Sequence, residues 1–113
     1  PHAPLQATES YLKRYEHIND TKRRTYAAMV SAVDDGVGAI LTTLQEQGIA
    51  DNTIVIFLSD NGGPKQDNAS DNGHLRGGKG TLFEGGIRVP FAMQWPMRIK
   101  SHTTYTKPVS SLD

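Results

Sequence analysis

"IVIFLSDNGGPKQDNASDNGHLRGGKGTLFEGG", residues 54–86, decides how the rest of the chain is read. It opens on a purely apolar run, Ile54 to Leu58, and breaks off on Asp60-Asn61-Gly62-Gly63. A β-branched run without polar alternation predicts a strand covered on both faces, as in a parallel sheet between helix layers. Gly, Asn, Asp and Ser dominate the residues after the break, which predicts a long loop over 62–80. Within that loop Lys79 stands between Gly78 and Gly80. A metal site, a phosphate cradle and a plain turn would each leave such a trace.

Working outward, the helix before the strand is the clearest element. From Thr21 to Gln47 the apolar residues Tyr26, Met29, Val30, Val33, Val37, Ile40, Leu41 and Leu44 recur at three-and-four spacing, one stripe on a helix. Asp20 is placed to cap its start and Gly48 its end. Gly36 and Gly38 weaken helix propensity and predict close packing against a neighbour. "GIADNT" is a turn, so helix, turn and strand make one αβ unit. Upstream, a short helix is expected to start at Thr8 with Glu9 in its first turn. Downstream, Val89, Phe91, Met93 and Trp95 alternate, which predicts a second strand with Pro90 at its entry or on an edge.

The bulk numbers narrow the field. The 113 residues have room for one small core, and 36% hydrophobic with 21% charged content suits a globular chain. Twelve Lys plus Arg balance twelve Asp plus Glu, so neither nucleic acid nor an anionic membrane is called for. The longest apolar run is far short of a bilayer span. With no cysteine, disulfides, thiolate metal sites and a cysteine nucleophile are excluded within these residues. Two strands and one long helix do not close an α/β core. The start at "PHAPLQA" and the stop at "VSSLD", where Ser110 or Ser111 would cap a helix still to come, read as an excerpt of a longer protein.

The loop fails three familiar motifs. "GHLRGGKG" approaches a phosphate-binding Walker loop, but Gly80 replaces the hydroxyl residue after Lys79. "DNASDNG" opens like a calcium-binding EF-hand loop, but Ala69 takes a ligand position and the twelfth residue is Gly78, not Glu. Phe83 fills the third glycine place of a dinucleotide fingerprint. The strand end remains. Asp60 offers an anionic oxygen and Asn61 a neutral one, both suited to calcium or magnesium, at the place where α/β sheets bind ligands. On composition alone, a favoured turn sequence explains Asp-Asn-Gly-Gly more simply.

The stretches "PHAPLQA", "YAAMVSAVDDGVGAIL", "NTIVIFLSDNGG", "LRGGKGTLFEGGIRVPFAMQWP" and "VSSLD" together resemble the type I sulfatases of the alkaline-phosphatase-like superfamily, in the family's order and over nearly the whole chain. The resemblance runs to arylsulfatases acting on sulfated sugars, N-acetylgalactosamine-4-sulfatase-like enzymes included. It implies an α/β fold, part of a mostly parallel sheet flanked by helices, with residues 1–113 one incomplete segment of the C-terminal portion of the catalytic domain. It implies that Asp60 and Asn61 ligate a divalent cation, usually calcium, that Lys79 binds the sulfate and stabilises its charge, and that His2, beside the sulfate and the leaving-group oxygen, is a candidate general acid. His74 replaces the proline common before "LRGGK" and is a candidate contact to the sugar or aryl part of a substrate, although a plain exposed loop histidine accounts for it too.

Such residue types suit the chemistry, since a cation and an ammonium offset charge on a sulfate ester while an imidazole protonates the leaving oxygen. The family nucleophile is a formylglycine made from a Cys/Ser-x-Pro/Ala-x-Arg motif, which these residues lack, so it is expected upstream and the 113 residues alone are expected to be inactive. The implied partner is a sulfate-ester small molecule or sulfated glycan, with the remainder of the catalytic domain, or self-association, covering the core. Family members are exported or lysosomal, which leaves the compartment open. A phosphodiesterase or phosphonate monoester hydrolase of the superfamily, or a non-catalytic interaction module, are the alternatives. Arg76 and Arg88 are expected to pair with acids such as Glu84, His17 and His102 to lie on the surface, and at least one of Asp34 and Asp35 to face solvent.

Overall fold

The computed structural model of the protein describes residues 1–110 and 112. Its elements run α1 (Glu9–Lys13), α2 (Thr21–Glu46), a 3-10 turn (Ala50–Asn52), β1 (Val55–Leu58), α3 (Lys65–Asn68), α4 (Glu84–Ile87) and β2 (Phe91–Gln94). Thr8 sits at the N-cap of α1. Asp20 caps α2, its carboxylate accepting from Arg23 N, which satisfies one of the four amides a helix start leaves open. Gly48, at φ +68°, ends the helix in the left-handed conformation that glycine adopts without penalty. Ser110 Oγ accepts from Leu112 N at 3.2 Å, a cap-like contact. The companion expectation at Ser111 lies outside the described residues.

α1 returns onto α2 through one polar joint. Asp35 accepts from the Tyr11 hydroxyl at 2.9 Å and pairs with Arg14 at 2.9 Å, while Arg14 also donates to Ser31 Oγ at 2.9 Å. Both Asp34 and Asp35 are exposed, but only Asp35 joins the contacts to α1, so the adjacent acids diverge as helix geometry requires. The most apolar 18-residue stretch of α2 has a mean hydropathy of 1.3, which by length and composition alone is enough to cross a bilayer. The midpoint of α2 carries Asp34 and Asp35, costly residues at bilayer depth.

β1 and β2 pair antiparallel, with Val55 opposite Gln94, Ile56 opposite Met93, Phe57 opposite Ala92 and Leu58 opposite Phe91. The continuous apolar run predicted parallel neighbours. Apolarity reports burial and says nothing of direction, and the 59–90 excursion is long enough to bring β2 back either way round. Pro90 stands just before β2, where its carbonyl accepts from Ser59 N and its missing N–H costs nothing.

The predicted burial of β1 on both faces is absent within this chain. Ile56 is 54% exposed and Phe57 46%, and Ala28 is the one fully buried apolar residue among those described. Gly36 and Gly38 likewise have open space at their Cβ positions rather than a close neighbour. The radius of gyration, 16.4 Å, exceeds the about 13 Å of a compact domain of this length. What the chain does pack tightly is the loop behind the strand end.

Candidate active site

Where β1 runs out, the backbone turns sharply and the Ser59, Asp60 and Asn61 side chains each make one local hydrogen bond. Ser59 Oγ donates to Asn61 O at 2.9 Å, Asp60 Oδ1 accepts from Asn61 N at 3.0 Å, and Asn61 Nδ2 donates to Gly62 O at 2.9 Å. Among the described residues no hydrogen bond reaches Asp60 Oδ2 or Asn61 Oδ1. The pair thus keeps one anionic and one neutral oxygen to offer, a donor set that fits a hard divalent cation. Two ligands are too few to hold one, and no cluster of three His, Cys, Asp or Glu gathers anywhere among the described residues.

Gly62 is buried, donates to Gly86 O at 2.9 Å, and has Gly85 O where a Cβ would stand. Only glycine lets the strand end lie so close to α4. Arg76 O in turn accepts from Gly85 N at 2.7 Å. The long loop is therefore folded flat onto the strand end rather than hanging free. Lys22 and Arg23 at the start of α2 hold its first half, donating to Gln66 O at 3.0 Å and Ala69 O at 2.9 Å.

Its second half is built around Asn72. The Asn72 amide accepts from Gly63 N at 2.9 Å and donates to Gly63 O at 3.0 Å and Gly77 O at 3.1 Å. Gly77 and Gly80, at φ +80° and +83°, bend the chain on either side of Lys79. Thr81 closes the turn, with Thr81 N donating to Gly78 O at 3.0 Å. No motif in the sequence singles out Asn72. The only available signal is an Asn immediately before a glycine, which also describes any ordinary turn.

Lys79 reaches across to the start of the chain. Its Nζ lies 3.0 Å from His2 Nε2, joining residues 77 positions apart. The other ring nitrogen, Nδ1, is 2.9 Å from Ala3 O. A carbonyl only accepts and an ammonium only donates, so both contacts are satisfied by the neutral tautomer protonated at Nδ1. The structure brings His2 and Lys79 together, and Asn72 ties the lysine loop to the strand end that bears Asp60 and Asn61. His74 is exposed at the tip of the Asn72–Leu75 turn and makes no hydrogen bond among the described residues.

The remaining charged groups fall into structural roles. Arg88 pairs with Glu84 at 3.2 Å as expected. Arg76 instead lies 3.7 Å over the Phe83 ring; with its own carbonyl fixed by Gly85 N, its flat guanidinium finds an aromatic face nearer than a carboxylate. His17 and His102 are exposed.

The family model described as Sulfatase matches residues 1–113. Arylsulfatase J of Mus musculus is 41% identical over 106 residues, covering 94% of this chain and 17% of that protein. N-acetylgalactosamine-6-sulfatase of Homo sapiens is 40% identical over 100 residues, covering 84% and 18%. The solved structure of Ps i-CgsB in complex with k-i-k-neocarrahexaose superposes with a TM-score of 0.94 at 42% identity, over 99% of this chain and 25% of that one. The chain spans about a sixth of the length of these curated relatives. The backbone likeness makes its helices and strand pair a piece of the alkaline-phosphatase-like α/β architecture, and the chain belongs to the sulfatase family.

Proposed function

We propose that these residues form the cation- and sulfate-facing portion of a sulfuric ester hydrolase. The observation that carries the reading is the 3.0 Å approach of Lys79 Nζ to His2 Nε2, an ammonium and an imidazole converging from distant parts of the chain. Asp60 and Asn61 would hold a divalent cation, calcium by the chemistry of their oxygens, with further ligands from outside these residues. Such an ion, when bound, would withdraw charge from the sulfate oxygens.

Lys79 binds and neutralises an anionic sulfate oxygen. A sulfate seated between Lys79 and His2 would take over the ammonium's hydrogen bond and free Nε2 to take up a proton from solvent. His2, its ring orientation set by Ala3 O, then delivers that proton to the departing oxygen. The nucleophile lies outside these 113 residues, because they contain no cysteine and no serine in a Ser-x-Pro/Ala-x-Arg context. His74, exposed on the loop that carries Lys79, would contact the part of the substrate that bears the sulfate. The likeness to Ps i-CgsB bound to k-i-k-neocarrahexaose supports a carbohydrate as that part.

In the full-length protein, Lys79→Ala is expected to lower kcat about 10²–10³-fold, the usual range for removing one preorganised donor to transition-state charge. His2→Ala is expected to cost about 10²-fold on a sugar or alkyl sulfate and much less on a nitrophenyl sulfate, whose leaving group needs no proton. Steady-state kinetics across leaving groups checks both. A His2→Ala loss of equal size on every leaving group would end the general-acid assignment, and wild-type turnover by Lys79→Ala would end the sulfate assignment.

A further inference from the structure

Asn72 is half-buried between the two functional ends of the loop, and its surroundings allow one amide orientation. A primary amide has two N–H donors, and both are used, one on Gly63 O and one on Gly77 O. Reversed, the amide would set donors against Gly63 N–H and its oxygen against two carbonyls. Gly63 follows Asn61 by two positions, and Gly77 precedes Lys79 by two. The backbone adds one long bond between these segments, Lys79 N to Gly63 O at 3.4 Å. A Cβ on Gly78 would stand 2.6 Å from Gly63 O and 3.0 Å from Asn72 Nδ2, so the segments already approach as closely as glycine permits.

We infer that Asn72 is a positioning residue for Lys79: its amide sets the spacing between the Asp60–Asn61 strand end and the lysine that faces the sulfate. The inference rests on the role proposed for Lys79. All three Asn72 contacts are to backbone, so it acts on the reacting charge only through where it holds the lysine loop.

The test is a double-mutant cycle in the full-length protein, with a chromogenic aryl sulfate as the probe. Asn72→Ala is expected to lower kcat about 10- to 100-fold with a much smaller change in KM, the scale set by misplacing a catalytic group by about 1 Å. In a Lys79→Ala background the same substitution is expected to cost little more, because there is no ammonium left to place. Asn72→Ser, with one donor and one acceptor on a shorter stem, is expected to fall between and carries the cycle if Asn72→Ala does not fold. Additive losses, or an Asn72 defect that disappears at a temperature where the variant is fully folded, would overturn the positioning role while leaving Lys79 intact. Wild-type turnover by Lys79→Ala would instead remove the sulfate-binding role of Lys79, and this inference with it.

Discussion

Glycine 62 shows how much a missing Cβ decides here. Its amide bonds to Gly86 O at 2.9 Å, and Gly85 O occupies the place a methyl group would take. The obstacle is backbone, held in turn by the Gly85 N bond to Arg76 O at 2.7 Å, so it does not swing aside like a side-chain tip. Gly62→Ala is expected to destabilise the full-length protein by about 1–3 kcal/mol, the usual cost of forced overpacking. It should also weaken cation affinity, since Asn61 is the preceding residue. Thermal unfolding and calcium titration by calorimetry check the two effects; unchanged melting would show that the loop yields without cost. The glycines and the pairing of His2 with Lys79 differ in how far sequence discloses them. "DNGG" and "EGG" mark tight backbone without saying which glycine faces which. His2 and Lys79 were legible as a pair only through family resemblance, because no local pattern links residues 77 positions apart.

At the scale of elements, the joint between α1 and α2 makes a pH-dependent contribution of defined sign. The Arg14 guanidinium first, and then the Tyr11 hydroxyl, hydrogen-bond the Asp35 carboxylate and hold it below its ordinary value of 3.8. The hydrogen bond to Asp35 raises Tyr11 above 10.0, and the same partner raises Arg14. A lowered acid favours the fold above its unfolded value and ceases to do so as pH falls through the folded one. A raised phenol favours the fold below 10.0 and ceases to do so as pH rises through its folded value. The joint is therefore fully made at neutral pH and comes undone at both extremes. All three groups meet solvent, so added salt screens the effect. Carboxyl titration by NMR should give Asp35 a midpoint below 3.8; a midpoint at or above that value would mean that Arg14 and Tyr11 do not hold it in solution.

Helices α1 and α2 were legible because their signals are local, for α2 Asp20 at the cap, a three-and-four stripe and Gly48 at the stop; the single turns α3, inside the stretch expected to be loop, and α4 carry no such signal. The Asp35 joint was not legible, since it needs two helices docked before any of its partners meet. Strand direction was hidden for a related reason. Alternation and apolarity describe which faces are covered, whereas the antiparallel register of Val55 with Gln94 is set by how residues 59–90 fold back.

At the scale of the whole chain, the apolar surface does not close. Both faces of the β1–β2 ribbon stay bare, Phe57 and Leu58 on one strand and Phe91 and Met93 on the other, and two strands on their own are marginal in water. Apolar residues at their outer edges invite pairing with another chain. The same backbone occurs, at a TM-score of 0.94, as a quarter of a longer solved chain, and we propose that neighbouring segments cover those faces in the full-length protein. The turn around Asn72, in contrast, is tied by the Asn72 amide to the loop's own backbone at Gly63 and Gly77 and carries that local geometry with it. For the isolated 113-residue chain these two facts pull apart: local turns should persist, while the ribbon and α2 seek cover. The expectation is self-association, binding of a dye that reports exposed apolar surface, and a broad unfolding transition, with no hydrolysis of an aryl sulfate. Sedimentation velocity, dye fluorescence and a thermal melt read these outcomes directly. A monomer with a sharp two-state melt and no dye binding would show that α2 and the ribbon bury one another in solution, and that the covering segments are dispensable for folding.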